Sequence, residues 1–561
     1  MEKLLCSLSL QSPNPTEGTE TMIHLSKTTT TRRLLSLIAI LILSGAGPLG
    51  ESDACTNILV SRGASADGSV LVSFSVDGTG AGMLSVSPGG RKPAGENEHP
   101  SVADYEGPVY KVLNHINEYQ VSVGETTTNG RVELANKNET ALTYDRLMVL
   151  ALRRCKTARE AIVEIDRLMQ TYGYGSTGET LSIGDKNEVW LMEIMGKGEQ
   201  KGAVWVAARV PEGAISAHAN MSRITTFPLD DPENWVYSND VISFAVEQGF
   251  YDPDSGKPFS FRDAYHPNIS KLIQRACAGR IWSIFRRAAP SQNFSSDYFR
   301  VVEGAEPYPL FIKPDKKVTV HDVMQLMRDH YEGTPWDMTK GVDAGPFGSP
   351  YRFRGLTFEI DGENYAWERP ISSQQAACVW IAQSRNWLPD PIGGVYWYTP
   401  DDAFTSCFAP FYVGITDVPK PYNTGNYDQV SLDSAWWVFN LVSNYAYDRY
   451  SRVIDDILKV QQEQEHFYLE MMPKIDQMAL RLYESDKEKM HQFLTDYGVN
   501  TGNALFERWL QLYNEMLTKN IDGYQKTAEG PPKEAGYPEQ WLREVVTDRG
   551  EELSVGEAGD H

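Results

Sequence analysis

The residue with the most chemistry to offer is Cys55, because of what precedes it. Arg32 and Arg33 lead into an apolar run from Leu34 to Leu43, and Ser52-Asp53-Ala54 stands directly before the cysteine. That order of basic, apolar and small residues reads as a signal peptide, with Ser52 and Ala54 at the small-residue positions of the cleavage site. Export to a periplasmic or extracellular space is therefore expected, with Cys55 as the first residue of the mature chain. A first-residue cysteine carries a thiol and an α-amine on one framework. Their ordinary pKa values, about 8.5 and 8, place both near the proton-transfer range at neutral pH. The amine can then take the thiol proton, and a nucleophile arrives with its own base, without a histidine. Cleavage nearer Gly45-Ala46-Gly47 would instead leave a short propeptide for Cys55 to remove by attacking the preceding peptide bond. A lipid on Cys55, as in a non-catalytic exported binding protein, is the competing reading, and Asp53 is unwelcome in a lipoprotein signal.

From Cys55 onward the cysteines are Cys55, Cys155, Cys277, Cys378 and Cys407. The number is odd, and no CxxC pair or zinc-type grouping occurs among them. Cys155, Cys277 and Cys378 sit among helical or apolar residues and are expected to be buried structural thiols. His330 has no second histidine at ligand spacing, so neither metal nor cofactor is expected. His218 could pair with Cys55 in a papain-like dyad, but such nucleophiles follow a Gly-rich lead into a helix, and Thr56 to Val60 reads as strand.

The elements that must position Cys55 follow from periodicity. Thr56 to Val60 and Val70 to Phe74 read as a strand pair around the turn Asp67-Gly68, which tolerates positive φ. Further strands are expected at Tyr119–Val123, Thr180–Gly184, Val189–Ile194, Ala203–Val210 and Ile215–Ala219. Tyr144 to Tyr172 reads as helical on the stripe Leu147, Leu150, Ala151, Ala158, Ile162, Ile165 and Leu168. Residues 55–430 are expected to form the catalytic domain, residues 431–522 a helical region, and 523–561 a polar tail that frays. The class is α+β. With 41% hydrophobic residues among 561 the chain has ample material for a core. A net charge of -23 and a pI near 4.9 exclude a polyanion partner, and no cluster of Lys and Arg offsets them. The apolar run at Leu34 is too short to anchor the mature chain in a bilayer. Homo-oligomerisation stays open.

The opening Cys-Thr-Asn-Ile-Leu-Val with Ala-Ser-Ala-Asp-Gly-Ser resembles that of the peptidase family C69 dipeptidases, N-terminal-nucleophile hydrolases related to penicillin V acylase and bile salt hydrolase. Asn117-Glu118-Tyr119, Asp185 to Trp190, Ala219-Asn220, Arg328 to Thr334, Ile371-Ser372 and Arg385 to Pro389 extend the resemblance to about residue 460. It implies a four-layer αββα fold, hydrolysis of dipeptides or small peptides through an acyl-enzyme on Cys55, and no cofactor. It also implies that Asp77 holds the nucleophile's amine, that Asn220 stabilises the oxyanion, and that Arg280 lies near the thiol, although a helix-surface salt bridge fits Arg280 equally well. An N-acyl amide hydrolase would share the chemistry. Acylases of the superfamily have an arginine three residues before the aspartate; Phe74 stands there, which implies a more apolar pocket.

Overall fold

The computed structural model describes residues 55–78, 80–90, 100–103, 105–136 and 141–556. The expected signal peptide and its cleavage site lie outside the described residues. In chain order the elements that build the site and its supports are β1 (Thr56–Val60), β2 (Val70–Asp77), β3 (Ser122–Thr127), α1 (Tyr144–Arg154), α2 (Ala158–Tyr172), β4 (Gly178–Gly184), β5 (Val189–Gly196), β6 (Ala203–Arg209) and β7 (Ile215–His218). Then come α3 (Lys271–Ala288), α4 (Val320–Leu326), β8 (Ala376–Ser384), β9 (Gly394–Pro400), β10 (Ala409–Tyr412), α5 (Ala435–Tyr447), α6 (Tyr450–Ser485), α7 (Lys487–Lys519) and α8 (Glu539–Leu553). The class is α+β.

One sheet runs β7-β1-β2-β8-β9-β10, each strand antiparallel to its neighbour. The β1–β2 turn forms as its sequence directs: Gly68 takes a φ of 82°, and Asp67 Oδ1 accepts the Ser69 N–H at 3.0 Å. The second sheet has β6-β5-β4-β3 at its centre, with short strands at both edges. The two sheets approach closely where β3 crosses β1 and β2. A Cβ on Gly124 would stand 2.7 Å from the Asn57 amide and 3.2 Å from Phe74 Cβ, so only glycine fits there.

Alternation along β5 divides the interior in two. Val189, Leu191 and Met195 join a core shared with β1 and β2, while Trp190, Met192 and Ile194 pack with Leu147, Ala151, Ile162, Ile165 and Leu168 of α1 and α2. The first sheet is met by α3, α4, α5, α6 and α7. Each fully buried aliphatic or aromatic side chain in these layers contributes roughly 1.5–3 kcal/mol. Among the described residues no helix is long and apolar enough to cross a membrane.

Three expectations need correction. The helical stretch Tyr144–Tyr172 is two helices, because Asn117 Nδ2 donates to the Leu152 and Cys155 carbonyls at 2.8 and 2.7 Å and Thr157 caps the second helix. The strand expected from Tyr119 starts at Ser122, because Asn117 Oδ1 accepts from the N–H groups of Tyr119 and Val121 and bends the chain, leaving Gln120 at a φ of 70°. In the polar tail, Glu539–Leu553 forms α8, none of whose residues is buried.

Helix α6 is clamped to the rest of the fold by two ion pairs. Arg328 grips Glu465 of α6 with two bonds, at 3.0 and 2.5 Å, and Arg385 grips Asp476 with two, at 2.6 and 3.1 Å. Two of the stretches that carry the resemblance, those beginning at Arg328 and Arg385, thus serve to hold α6.

Candidate active site

Topology brings the expected residues together. Because β1 is antiparallel to both β2 and β7, the residue before its start lies beside the end of β2 and just past the end of β7. The registers pair Thr56 with Ser75 and Asn57 with His218, so Cys55 falls beside Asp77 on one side and Asn220 on the other. Cys55 is 1% exposed.

The third direction is filled from α3. Arg280 is buried, not on the helix surface, and its Nη1 donates to the Cys55 carbonyl oxygen at 2.7 Å and to Thr56 Oγ1 at 3.0 Å. Its Nη2 donates to Asn220 Oδ1 at 3.0 Å and lies 3.5 Å from Cys277 Sγ. A planar fork of five donors suits such a junction, which a lysine could not reproduce. Asn220 takes a φ of 48°, a conformation that asparagine tolerates better than most side chains. One of its two amide hydrogens goes to the Thr127 carbonyl at 2.9 Å.

Asp77 is also buried. Its carboxylate accepts from Arg369 Nη2 and Ser75 Oγ, and from Ser373 Oγ at 3.4 Å, while its backbone is hydrogen-bonded to Cys55. Cys55 Sγ donates to Glu125 Oε1 of β3 at 3.5 Å. Burial pushes the thiol well above its ordinary value, and the charges of Glu125 and Asp77 push it the same way. In the sequence Ala54 precedes Cys55, and while the two are joined the Cys55 nitrogen is a peptide nitrogen that cannot draw the proton off.

Sequence reasoning missed Arg369, Glu125 and Thr56 as members of this group. Phe74 does meet His115 and Trp380 edge-on in the space between the sheets, as an apolar residue should. Yet the site is not left without a cation at Asp77, since Arg369 supplies one from a distant segment. His218 stands apart from the thiol: its Nδ1 bonds Thr126 Oγ1 and its Nε2 bonds Ser182 Oγ, both at 2.7 Å. Burial, with Arg223 and Arg280 nearby, pushes it well below its ordinary value. His330 bonds Glu332 through Nδ1 at 3.0 Å, a local structural contact. The five cysteines from Cys55 on are all buried free thiols.

The Arg328–Tyr331 stretch braces the two arginines. Asp329 accepts from Ser283 Oγ, from Arg286 at 3.3 Å and from Arg287 at 2.9 Å, all on the helix that carries Arg280. Its carbonyl takes the N–H groups of Ile371 and Ser372 at 3.2 and 3.3 Å, and Tyr331 Oη donates to the Arg369 carbonyl at 2.6 Å.

The sequence model of peptidase family C69 matches residues 93–463, two thirds of the chain, a span that includes Glu125, Asn220, Arg280 and Arg369 and begins after Asp77. The chain is 27% identical over 391 residues to a protein named probable dipeptidase from Salmonella dublin, covering 65% of this chain and 82% of that one. It is 25% identical over 499 residues to probable dipeptidase A of Streptococcus pyogenes serotype M3 (strain SSI-1), covering 83% and 99%. It is 24% identical over 428 residues to dipeptidase A of Lactobacillus helveticus, covering 69% and 81%.

Proposed function

The chain belongs to peptidase family C69, and from that premise we propose that it is an exported cysteine dipeptidase with the four-layer αββα fold of N-terminal-nucleophile hydrolases. The catalytic domain is 55–430, with 431–522 a helical region packed on it. Processing before Cys55 frees its α-amine. The amine accepts the Sγ proton, sulfur attacks the peptide carbonyl, and the C–N bond breaks as the leaving amine takes up the proton. Water, deprotonated by the same amine, then hydrolyses the thioester and restores the thiol. Asp77 holds the α-ammonium form of Cys55. Asn220 stabilises the oxyanion through its side-chain N–H, a role worth about 3 kcal/mol in other hydrolases.

The observation that carries this reading is Arg280. One buried guanidinium holds the carbonyl of the nucleophile itself and the amide oxygen of Asn220, and so fixes attacking group and oxyanion donor relative to each other. The dipeptidase names of the relatives support the substrate class. The test is Cys55→Ala expressed with its leader: it is expected to be exported, trimmed and folded, with no dipeptide hydrolysis. Cys55→Ser is expected to be weak at most, its hydroxyl being a poorer nucleophile near neutral pH. Full activity in Cys55→Ala contradicts the reading.

A further inference from the structure

One charged residue interrupts an apolar row between the sheets. Val189, Leu191, Glu193 and Met195 share a face of β5 by alternation, and the other three join the core with β1 and β2. Glu193 is 0% exposed, with Thr180 of β4 on one side and Val206 of β6 on the other. A carboxylate in such a row is costly unless its oxygens are hydrogen-bonded. Here they are. Oε1 accepts the N–H groups of Arg223 and Ile224, at 2.6 and 3.0 Å, and Oε2 accepts from Ser222 Oγ. All three partners lie in the segment directly after Asn220. The segment before it is held by Arg223, whose Nη1 donates to the Ala217 carbonyl of β7 while Nη2 donates to the Pro309 carbonyl at 2.5 Å. Between these two grips Asn220 reverses the chain at a φ of 48°. Such a backbone persists only where its surroundings over-determine it.

We propose that Glu193 is a positioning residue of the reaction, clasping with Arg223 the turn on either side of Asn220 so that its amide stays aimed at the oxyanion. The proposal rests on Cys55 as nucleophile and Asn220 as oxyanion donor. Arg280 and the Thr127 carbonyl fix the end of the Asn220 side chain. Glu193 and Arg223 fix the peptide from which that side chain springs. Both are needed, because an oxyanion donor works over a window of only about 0.4 Å, and a left-handed turn released at either end relaxes toward ordinary backbone. Glu193 thus acts through Asn220, by geometry. Glutamine has the same shape: its oxygen can accept the Arg223 and Ile224 N–H groups and its NH2 can donate to Ser222 Oγ. Leucine suits the apolar row but leaves both N–H groups unmet.

The experiment is a double-mutant cycle: kcat and KM for one dipeptide in the mature wild type, Glu193→Gln, Glu193→Leu and Arg223→Met, each alone and combined with Asn220→Gly. Glu193→Leu, in protein shown to be folded, is expected to lower kcat about tenfold or more with KM changed less than about twofold, the mark of an interaction felt in the transition state. Glu193→Gln should keep kcat within about threefold of wild type, since it keeps the bonds. With Asn220→Gly already present, Glu193→Leu should cost less than about twofold further, because the group it aims is gone. Arg223→Met runs the same cycle and decides the matter where Glu193→Leu does not fold. An unchanged kcat in the folded single variants overturns the proposal, and so does a loss that simply multiplies with that of Asn220→Gly, since Glu193 then supports the fold or another group. Wild-type turnover in Asn220→Gly alone overturns the underlying assignment of Asn220 instead.

Discussion

Arg280 Nη1 donates to the Cys55 carbonyl oxygen at 2.7 Å, across 225 positions of sequence. A bond from a buried cation to the backbone of the nucleophile makes the arginine a positioning residue, and lysine cannot hold Cys55, Thr56 and Asn220 at once. Arg280→Lys is expected to lower kcat by about a hundredfold, the scale of an ångström of misplacement. KM should change much less. Steady-state kinetics on protein shown to be folded by circular dichroism check this; an unchanged kcat would remove Arg280 from the positioning of the thiol.

Asn220 joins an oxyanion role to a left-handed backbone, so two substitutions separate the effects. Asn220→Gly and Asn220→Ala should both lower turnover by on the order of a hundredfold. The alanine variant should be less stable than the glycine variant by about 1 kcal/mol, from its Cβ at a φ of 48°. Urea unfolding compared with kcat for both variants gives the answer.

Glu465→Gln should be among the most destabilising changes far from the thiol. It strands the Arg328 charge, whose partners are otherwise the Ala403 and Ser406 carbonyls, and breaking such a pair costs about 3–5 kcal/mol. Joint replacement by Arg328→Met and Glu465→Leu should recover much of the loss. Thermal melting of the three proteins decides it; equal melting of Glu465→Gln and wild type would mean the clamp contributes nothing.

Asp401 links stability to pH. Burial, and then the charge of Asp402, push it from 3.8 up to about 8. Unfolded, it releases its proton near the ordinary value; folded, it keeps the proton to about pH 8. The folded state therefore binds more protons between these limits, and the stability this residue allows is full below about pH 4 and is lost as pH rises toward 8. Asp401→Asn keeps the acceptor for Asn440, at 3.1 Å, and tolerates the φ of 62°. It should flatten that decline by up to about 1.4 kcal/mol per pH unit. Denaturant titrations from pH 5 to 8 measure the slope.

What could be read in the sequence was mostly local. The β1–β2 turn was legible because Asp67-Gly68 states its own geometry, and β5 because both of its faces are buried. The break between α1 and α2 was not legible from the apolar stripe, which runs on past it; the cause is Asn117, far back in the chain. Cys55, Asp77 and Asn220 could be singled out one by one, and the antiparallel register then places them together. Arg369 and Glu125 could not, since their meaning comes from pairing with Asp77 and with the thiol over separations of 292 and 70 residues. The stretch at Arg328 stood out in the sequence only by resemblance, and its purpose, to hold α6 on one side and α3 on the other, comes from distant partners.

The most direct test of the nucleophile is the N-terminal residue of the active protein. Intact mass and N-terminal sequencing of material that hydrolyses dipeptides should give Cys55 as the first residue, with one iodoacetamide adduct on it abolishing activity. Full activity in a chain that still carries Ala54 joined to Cys55 would contradict the mechanism, because the base would then have no free amine to come from.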